Sequence, residues 1–163
     1  MTAGRNTQPL TDKQIAEVIA YAQVLAIPTD VIRFSNYMNT SYGNIFGKEI
    51  VYVGNDVAPL SSPPVSGITA NSRISIKGSL AHEWIGHRGA EVVNRSFERG
   101  SLASPSLVNI ALDEAQASIR AARFAPQLTS VERYTLLRDA IARLKLHHLK
   151  IREVAHLLFI THL

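Results

Sequence analysis

The segment His82-Glu83-Trp84-Ile85-Gly86-His87-Arg88 concentrates the chemistry of this chain. Imidazole nitrogens are ligands for borderline divalent metals, and a glutamate beside such a ligand can take a proton from a neighbouring water. Two histidines that share an ion from one helix usually stand four residues apart. Here they stand at i and i+5. On a straight α-helix a spacing of four leaves side chains about 40° apart, whereas a spacing of five swings them about 140° apart. His82 and His87 can therefore share an ion only where the helix is locally widened, as in a π-bulge. Gly86 is the expected place for that distortion, because it has no Cβ to resist it. A competing reading makes Glu83 and His87 a simple i, i+4 pair on a solvated face. That reading leaves His82 without a role.

His82-Glu83-x-x-Gly86-His87 resembles the H-E-x-x-G-H motif of the dipeptidyl-peptidase III family of zinc exopeptidases, which carries the same one-residue insertion. In that family the third zinc ligand comes from a downstream helix with the pattern E-E-x-x-A-[ED]. This chain has Asp113-Glu114-Ala115-Gln116-Ala117-Ser118. The resemblance implies Glu114 as the third ligand, with Asp113 at the first acidic position and Ser118 where the family has its last acid. It covers these two short helices only. A second resemblance runs from Asn71 to Leu146 and includes His87-Arg88 and Ser118-Ile119-Arg120-Ala121-Ala122. It is to the variable C-terminal domains of bacterial Rhs-type polymorphic toxins. It implies a toxic effector delivered as cargo of a larger carrier protein, active in the target-cell cytoplasm, and neutralised by a cognate immunity protein.

Ligand chemistry then distributes the roles. His82, His87 and Glu114 make an N/N/O set suited to catalytic Zn²⁺, with one position left for water. Zinc lowers the pKa of that water to roughly 7. Glu83 is the expected general base, passing the proton to the leaving amine. Asp113 is the expected acceptor for a ligand imidazole N–H. Arg88 either pairs with a site carboxylate or stabilises developing charge. The stabiliser of a tetrahedral intermediate stays open among Tyr21, Tyr37, Tyr42, Tyr52, Tyr134 and Arg88. The expected reaction is hydrolysis of a protein or peptide substrate. The alternatives are a toxin with nuclease or other metal-dependent hydrolase activity, and a non-catalytic metal-binding interaction module.

The elements that must position these residues form one expected domain over 1–163, α+β and zincin-like, with a small mixed or antiparallel sheet and a mainly helical C-terminal half. Residues 1–10 read as a loose lead-in. Thr11 and Gln14 have capping-box spacing for a helix that Pro28 stops. Val31–Phe34 and Ile50–Val53 are strand candidates, residues 35–49 read as a loop, and 57–71 as a long irregular connection. Arg73-Ile74-Ser75-Ile76-Lys77 alternates without a break, which predicts a half-exposed edge strand able to bind a peptide by strand addition. Ser79 would then cap the helix of the histidines. Ser104-Pro105 opens a helix to Phe124, Thr129 and Glu132 cap another through Leu146, and Ile151–Ile160 forms a last one. Trp84 is expected as a core anchor.

Composition narrows the classes. With 163 residues and 46% hydrophobic content the chain can build a full core. The absence of cysteine excludes disulfides, thiol catalysis and Cys-ligated metal. A net charge of +4 with 7% aromatic residues, and no basic run interleaved with aromatics, argues against nucleic acid as the partner. No spanning run of about 18 apolar residues exists, so no membrane partner is expected. The polar first ten residues do not form a signal peptide. The basic positions Arg120, Arg123, Arg133, Arg138, Arg143 and Lys145 read as a solvated face, or as a docking surface for an acidic immunity protein.

Overall fold

The structure is a computed structural model that describes residues 4–61 and 69–163. It is a mixed α+β fold. Helix α1, Asp12–Val24, begins at the expected capping box: the Thr11 side chain accepts from Gln14 N–H and the Gln14 side chain accepts from Thr11 N–H. Its buried face carries Val18, Tyr21 and Ala22. Three strands follow, β1 (Ile32–Phe34), β2 (Ser41–Ile45) and β3 (Lys48–Val53), in the order β1-β3-β2. β3 pairs parallel to β1 and antiparallel to β2.

Residues 35–49 are thus not all loop, because β2 lies within them. Its sequence, Ser-Tyr-Gly-Asn-Ile, has a single β-branched residue, Ile45 at its end, and a glycine and an asparagine that strands disfavour. It is an edge strand held by pairing with β3 and by the tight turn at Phe46-Gly47, both at positive φ, as a two-residue hairpin of this twist requires. The connection expected over 57–71 falls partly outside the described residues.

The expected strand at Arg73, Ile74, Ser75, Ile76 and Lys77 is a correction. Asn71–Arg73 is a 3₁₀ turn, and Ser75 caps helix α2, Ile76–Ala81, its hydroxyl accepting from Gly78 N–H at 3.0 Å. Ile74 and Ile76 are both buried, but on either side of a helix start rather than on one face of a strand. Ser79 is therefore not the cap. The lead-in is not loose at Arg5 either. That side chain is 6% exposed and donates to the carbonyls of Asp56, Val57, Asn71 and Ile74 and to the Ser79 hydroxyl. Burial pushes its pKa down to about 10.

The chain continues from α2 into a π-helical stretch, His82–Arg88, and a last turn α3, Gly89–Glu91. The second half is helical: α4 (Leu107–Phe124), α5 (Ser130–Lys145) and the short α6 (Ile151–Val154). Ser104-Pro105 lies before α4 rather than opening it, and the last helix covers only the first turn of the expected segment. Alanine-rich α4 is shared by two cores. One joins α1, β3, α2 and Trp84 to Ala121 and Leu136. The other joins Leu112, Ala115 and Ile119 to Ala140, Leu144, Val154 and Leu158. Arg133 ties the α4–α5 turn by donating to the carbonyls of Ala122, Ala125 and Leu128. Among the described residues no helix is long and apolar enough to cross a membrane.

Glu132 joins the two halves. One oxygen completes the capping box with Thr129, and the other accepts from the Ser75 hydroxyl at 2.6 Å. Burial works to raise its pKa, but the bonds from Ser75 and Thr129 outweigh it, and the net shift is downward. A carboxyl with a depressed folded pKa stabilises above its unfolded value and loses that contribution as pH falls through the folded one. Glu132→Ala should therefore destabilise by about 1 kcal/mol, the scale of a lost cap, in urea unfolding at neutral pH. The difference from wild type should shrink progressively as pH falls below the ordinary carboxyl value of 4.5.

Candidate metal centre

The widened turn does what the i+5 spacing demands. Across His82–Arg88 the helix is π-wound, and the His82 and His87 rings come to 4.7 Å between centroids at 83°. Gly86 is at the centre of the distortion, and packing supplies a second reason for it. A Cβ at Gly86 would lie 2.6 Å from the Ala117 carbonyl oxygen and 2.7 Å from its Cα and Cβ. Glycine facing alanine lets α4 come into backbone contact with the π turn. That approach carries Asp113 and Glu114 under the two imidazoles.

Glu114 is the meeting point. Its Oε2 lies 3.3 Å from His82 Nε2, and its Oε1 lies 3.7 Å from His87 Nε2. One ligand atom from each of His82, His87 and Glu114 falls within 4.8 Å of the others. Ligands about 2.0–2.1 Å from a tetrahedral zinc are separated by about 3.3 Å, so these spacings suit a single small cation. Asp113 Oδ2 lies 3.4 Å from His87 Nδ1, which directs the proton to Nδ1 and leaves Nε2 as the ligand atom. His82 Nδ1 is 3.0 Å from the Ser118 hydroxyl. Asp113 and His82 are buried, so neither belongs to a solvated face.

Burial opposes ionisation of Glu114, but the bond from His82 and the charges of His82, His87 and Arg143 hold its pKa well below the usual carboxylate range. Asp113 is likewise lowered against its burial, by His87 and Arg99. His87 is raised: burial would lower it, yet Asp113, Glu83 and Glu114 prevail. The site is one in which carboxylates set the potential and favour a cation.

Glu83 lines the same cleft, of about 480 Å³, with Thr40, Tyr42, Glu91 and Arg99 among its neighbours. Its Oε2 accepts from the backbone N–H of Tyr42 at 2.8 Å, which fixes the carboxylate between β2 and the ligand trio. Of the five tyrosines, only Tyr42 lines this cleft. Its hydroxyl donates to Glu49 at 3.2 Å, and burial, helped by Glu91 and Glu49, pushes its pKa up. Arg88 is directed elsewhere. Its guanidinium lies 4.1 Å from the Trp84 ring centroid and donates to Glu49 at 2.8 Å, so it fastens the sheet to the π-helical stretch. Trp84 is buried as expected. Of the segment 73–77, only Ile74 lines the cleft.

The sequence does not announce Arg99 and Arg143. Arg99 sits on the connection between α3 and α4 and binds Asp113 Oδ2 at 2.8 Å and Glu114 Oε1. That connection is strapped down by Phe97 N–H on Asp113, by Gln116 on the Arg95 carbonyl and by Ser106 N–H on the Arg99 carbonyl. Gly100, at φ +77°, makes its turn. Arg143, on α5, reaches Glu114 Oε2 at 3.1 Å and Asp139 Oδ2 at 2.7 Å. Arg120 and Arg133 are not solvated either: Arg120 is fully buried, donating to the carbonyls of Ile85, Phe159 and His162. A basic surface spanning all six positions therefore does not exist.

No family model matches the chain, and neither a curated protein nor a solved structure does.

The Gly86–Ala117 contact yields a direct test. Gly86→Ala should destabilise by about 2 kcal/mol or more, the scale of overpacking against backbone, in thermal or urea unfolding. Any Zn²⁺ binding at His82, His87 and Glu114 should weaken as well, because α4 is forced away from the imidazoles.

Proposed function

We propose that this protein is a zinc-dependent hydrolase with a zincin-like site, acting on peptide bonds. The observation that carries the reading is the convergence of His82 Nε2, His87 Nε2 and a Glu114 oxygen within one ion's reach, with Glu83 beside them in the cleft. The donor set fits zinc: two neutral imidazole nitrogens and one carboxylate oxygen, the composition of catalytic sites that keep an open position. The charges fit as well. Asp56, Glu83, Glu91, Asp113 and Glu114 line the cleft against Arg5, Arg99 and Arg143, which leaves two negative charges for a dication to balance.

A zinc ion held there supplies a Lewis-acidic centre and brings the pKa of a bound water to roughly 7. Glu83 then has two duties, one for each oxygen. Oε2 is anchored by Tyr42 N–H, while Oε1 would take a proton from the attacking water and return it to the leaving amine. Backbone groups of alternate residues in a paired edge strand face outward. Tyr42 turns its N–H to Glu83, so Asn44 presents its own N–H and C=O on the same open edge. A peptide can extend the sheet there by strand addition, and β2 takes over the role expected for residues 73–77.

The resemblance to Rhs-type toxin domains gives this activity a setting: an effector carried by a larger protein, acting in a target cell, and blocked by an immunity protein. The nuclease alternative is less favoured, because five carboxylates line the cleft against Arg5, Arg99 and Arg143, and a net negative lining repels a phosphodiester backbone.

The test joins metal analysis with turnover. Purified protein should hold about one zinc per chain, and His82→Ala, His87→Ala and Glu114→Ala should each lose it. Glu83→Gln should keep the metal and lower peptide hydrolysis by about 10²–10⁴-fold. Growth arrest on expression should disappear in all four variants. Full hydrolysis by Glu83→Gln would overturn the base assignment. Nucleic-acid cleavage lost in the same variant would replace the peptide with a phosphodiester.

A further inference from the structure

The helix that carries Glu114 places a serine, not an acid, against the second nitrogen of His82. Ser118 Oγ is 3.0 Å from His82 Nδ1 and donates to Asp139 Oδ2 at 2.8 Å. Ser118 is 0% exposed and Asp139 2%, so water does not compete for either bond. A serine hydroxyl has one proton to give. Asp139 Oδ2 also accepts from Arg143 Nε at 2.7 Å, so it is an acceptor in both of its contacts. The serine proton therefore goes to Asp139, and the only proton that can bridge His82 and Ser118 is the one on Nδ1.

We propose that Asp139, acting through the Ser118 hydroxyl, fixes His82 in the Nδ1–H tautomer and so aims its Nε2 lone pair at the metal position. The inference rests on the metal-site reading above and deepens it. Ser118 and Asp139 are positioning residues, since neither reaches the cleft-facing ligand atoms. Helix α5 thus supplies from across the core the carboxylate that α4 lacks at position 118. The arrangement closes on itself: Arg143 joins Asp139 to Glu114 Oε2, and Glu114 Oε2 faces His82 Nε2. The imidazole and the carboxylate that would share the ion are thereby aligned by a single ring of side chains. Asp113 performs the equivalent service for His87 directly.

The measurement is zinc affinity by chelator competition, together with the ¹⁵N imidazole shifts of His82 in protein stripped of metal. Ser118→Ala should weaken Zn²⁺ binding about 10–100-fold, the usual effect of removing a ligand's hydrogen-bond partner, with an unchanged circular-dichroism spectrum. Ser118→Thr keeps the hydroxyl and should restore most of the affinity. Asp139→Asn should weaken binding as well, and combining it with Ser118→Ala should add little, because both act along one path. Wild-type shifts should report a protonated, hydrogen-bonded Nδ1, a signal that Ser118→Ala loses. Two results would overturn the inference: Ser118→Ala binding zinc as tightly as wild type, or a bare Nδ1 in the wild-type protein. A wild-type protein that binds no zinc sinks the metal-site reading itself, while the tautomer measurement still decides the role of Ser118 and Asp139.

Discussion

One widened helical turn governs the site. His87 follows His82 at i+5, and an α-helix would aim them in different directions. π-winding over His82–Arg88 brings them onto one face. A π turn forfeits ideal hydrogen bonding and persists only where its surroundings hold it. Here the support is α4, which packs its Ala117 backbone against Gly86 at a distance that no side chain could share. The same contact delivers Glu114 to the imidazoles, so the distortion that aligns the two nitrogens also fetches the oxygen.

A second constraint follows from that proximity. Glu114, Asp113 and Asp139 are drawn into the protein together, and buried carboxylates are costly unless paired. Compensation comes from three directions. Arg99 descends from the α3–α4 connection, Arg143 rises from α5, and the histidines face them from the π turn. The lowered pKa values of Asp113 and Glu114 record how fully burial is overcome. The strapped connection before α4 and the α4–α5 hairpin are therefore more than links, because each delivers a cation to a carboxylate that burial would otherwise neutralise.

Local physics was legible in the sequence wherever a signal resides within a few residues. The capping boxes at Thr11 and Thr129, the ends of α4 and α5 and the need for a π turn were all readable in this way. Misreadings arose where local pattern and tertiary context diverge. Ile74 and Ile76 alternate with polar neighbours as a strand would, yet Ser75 between them is a helix cap. Strand β2 has too polar a sequence to announce itself and exists because β3 pairs with it. Arg99, Asp139 and Arg143 carry no motif, since their relation to Glu114 is created only by folding. Ser118 is the instructive case. Read against the E-E-x-x-A-[ED] pattern it looks like a lost carboxylate, and only the packing of α5 shows that Asp139 stands one hydroxyl further away.

The arrangement of donors also bears on what kind of metal site this is. Structural zinc sites are closed, with four protein ligands, whereas catalytic ones keep a position for water. Three candidate ligands converge here, and all three line a cleft rather than a core. At that opening stands Glu83, held by a backbone N–H of the edge strand. Glu83 is held between the open edge of β2 and the three candidate ligands. The proposed hydrolytic reading rests on that placement, since a closed metal module needs no carboxylate there.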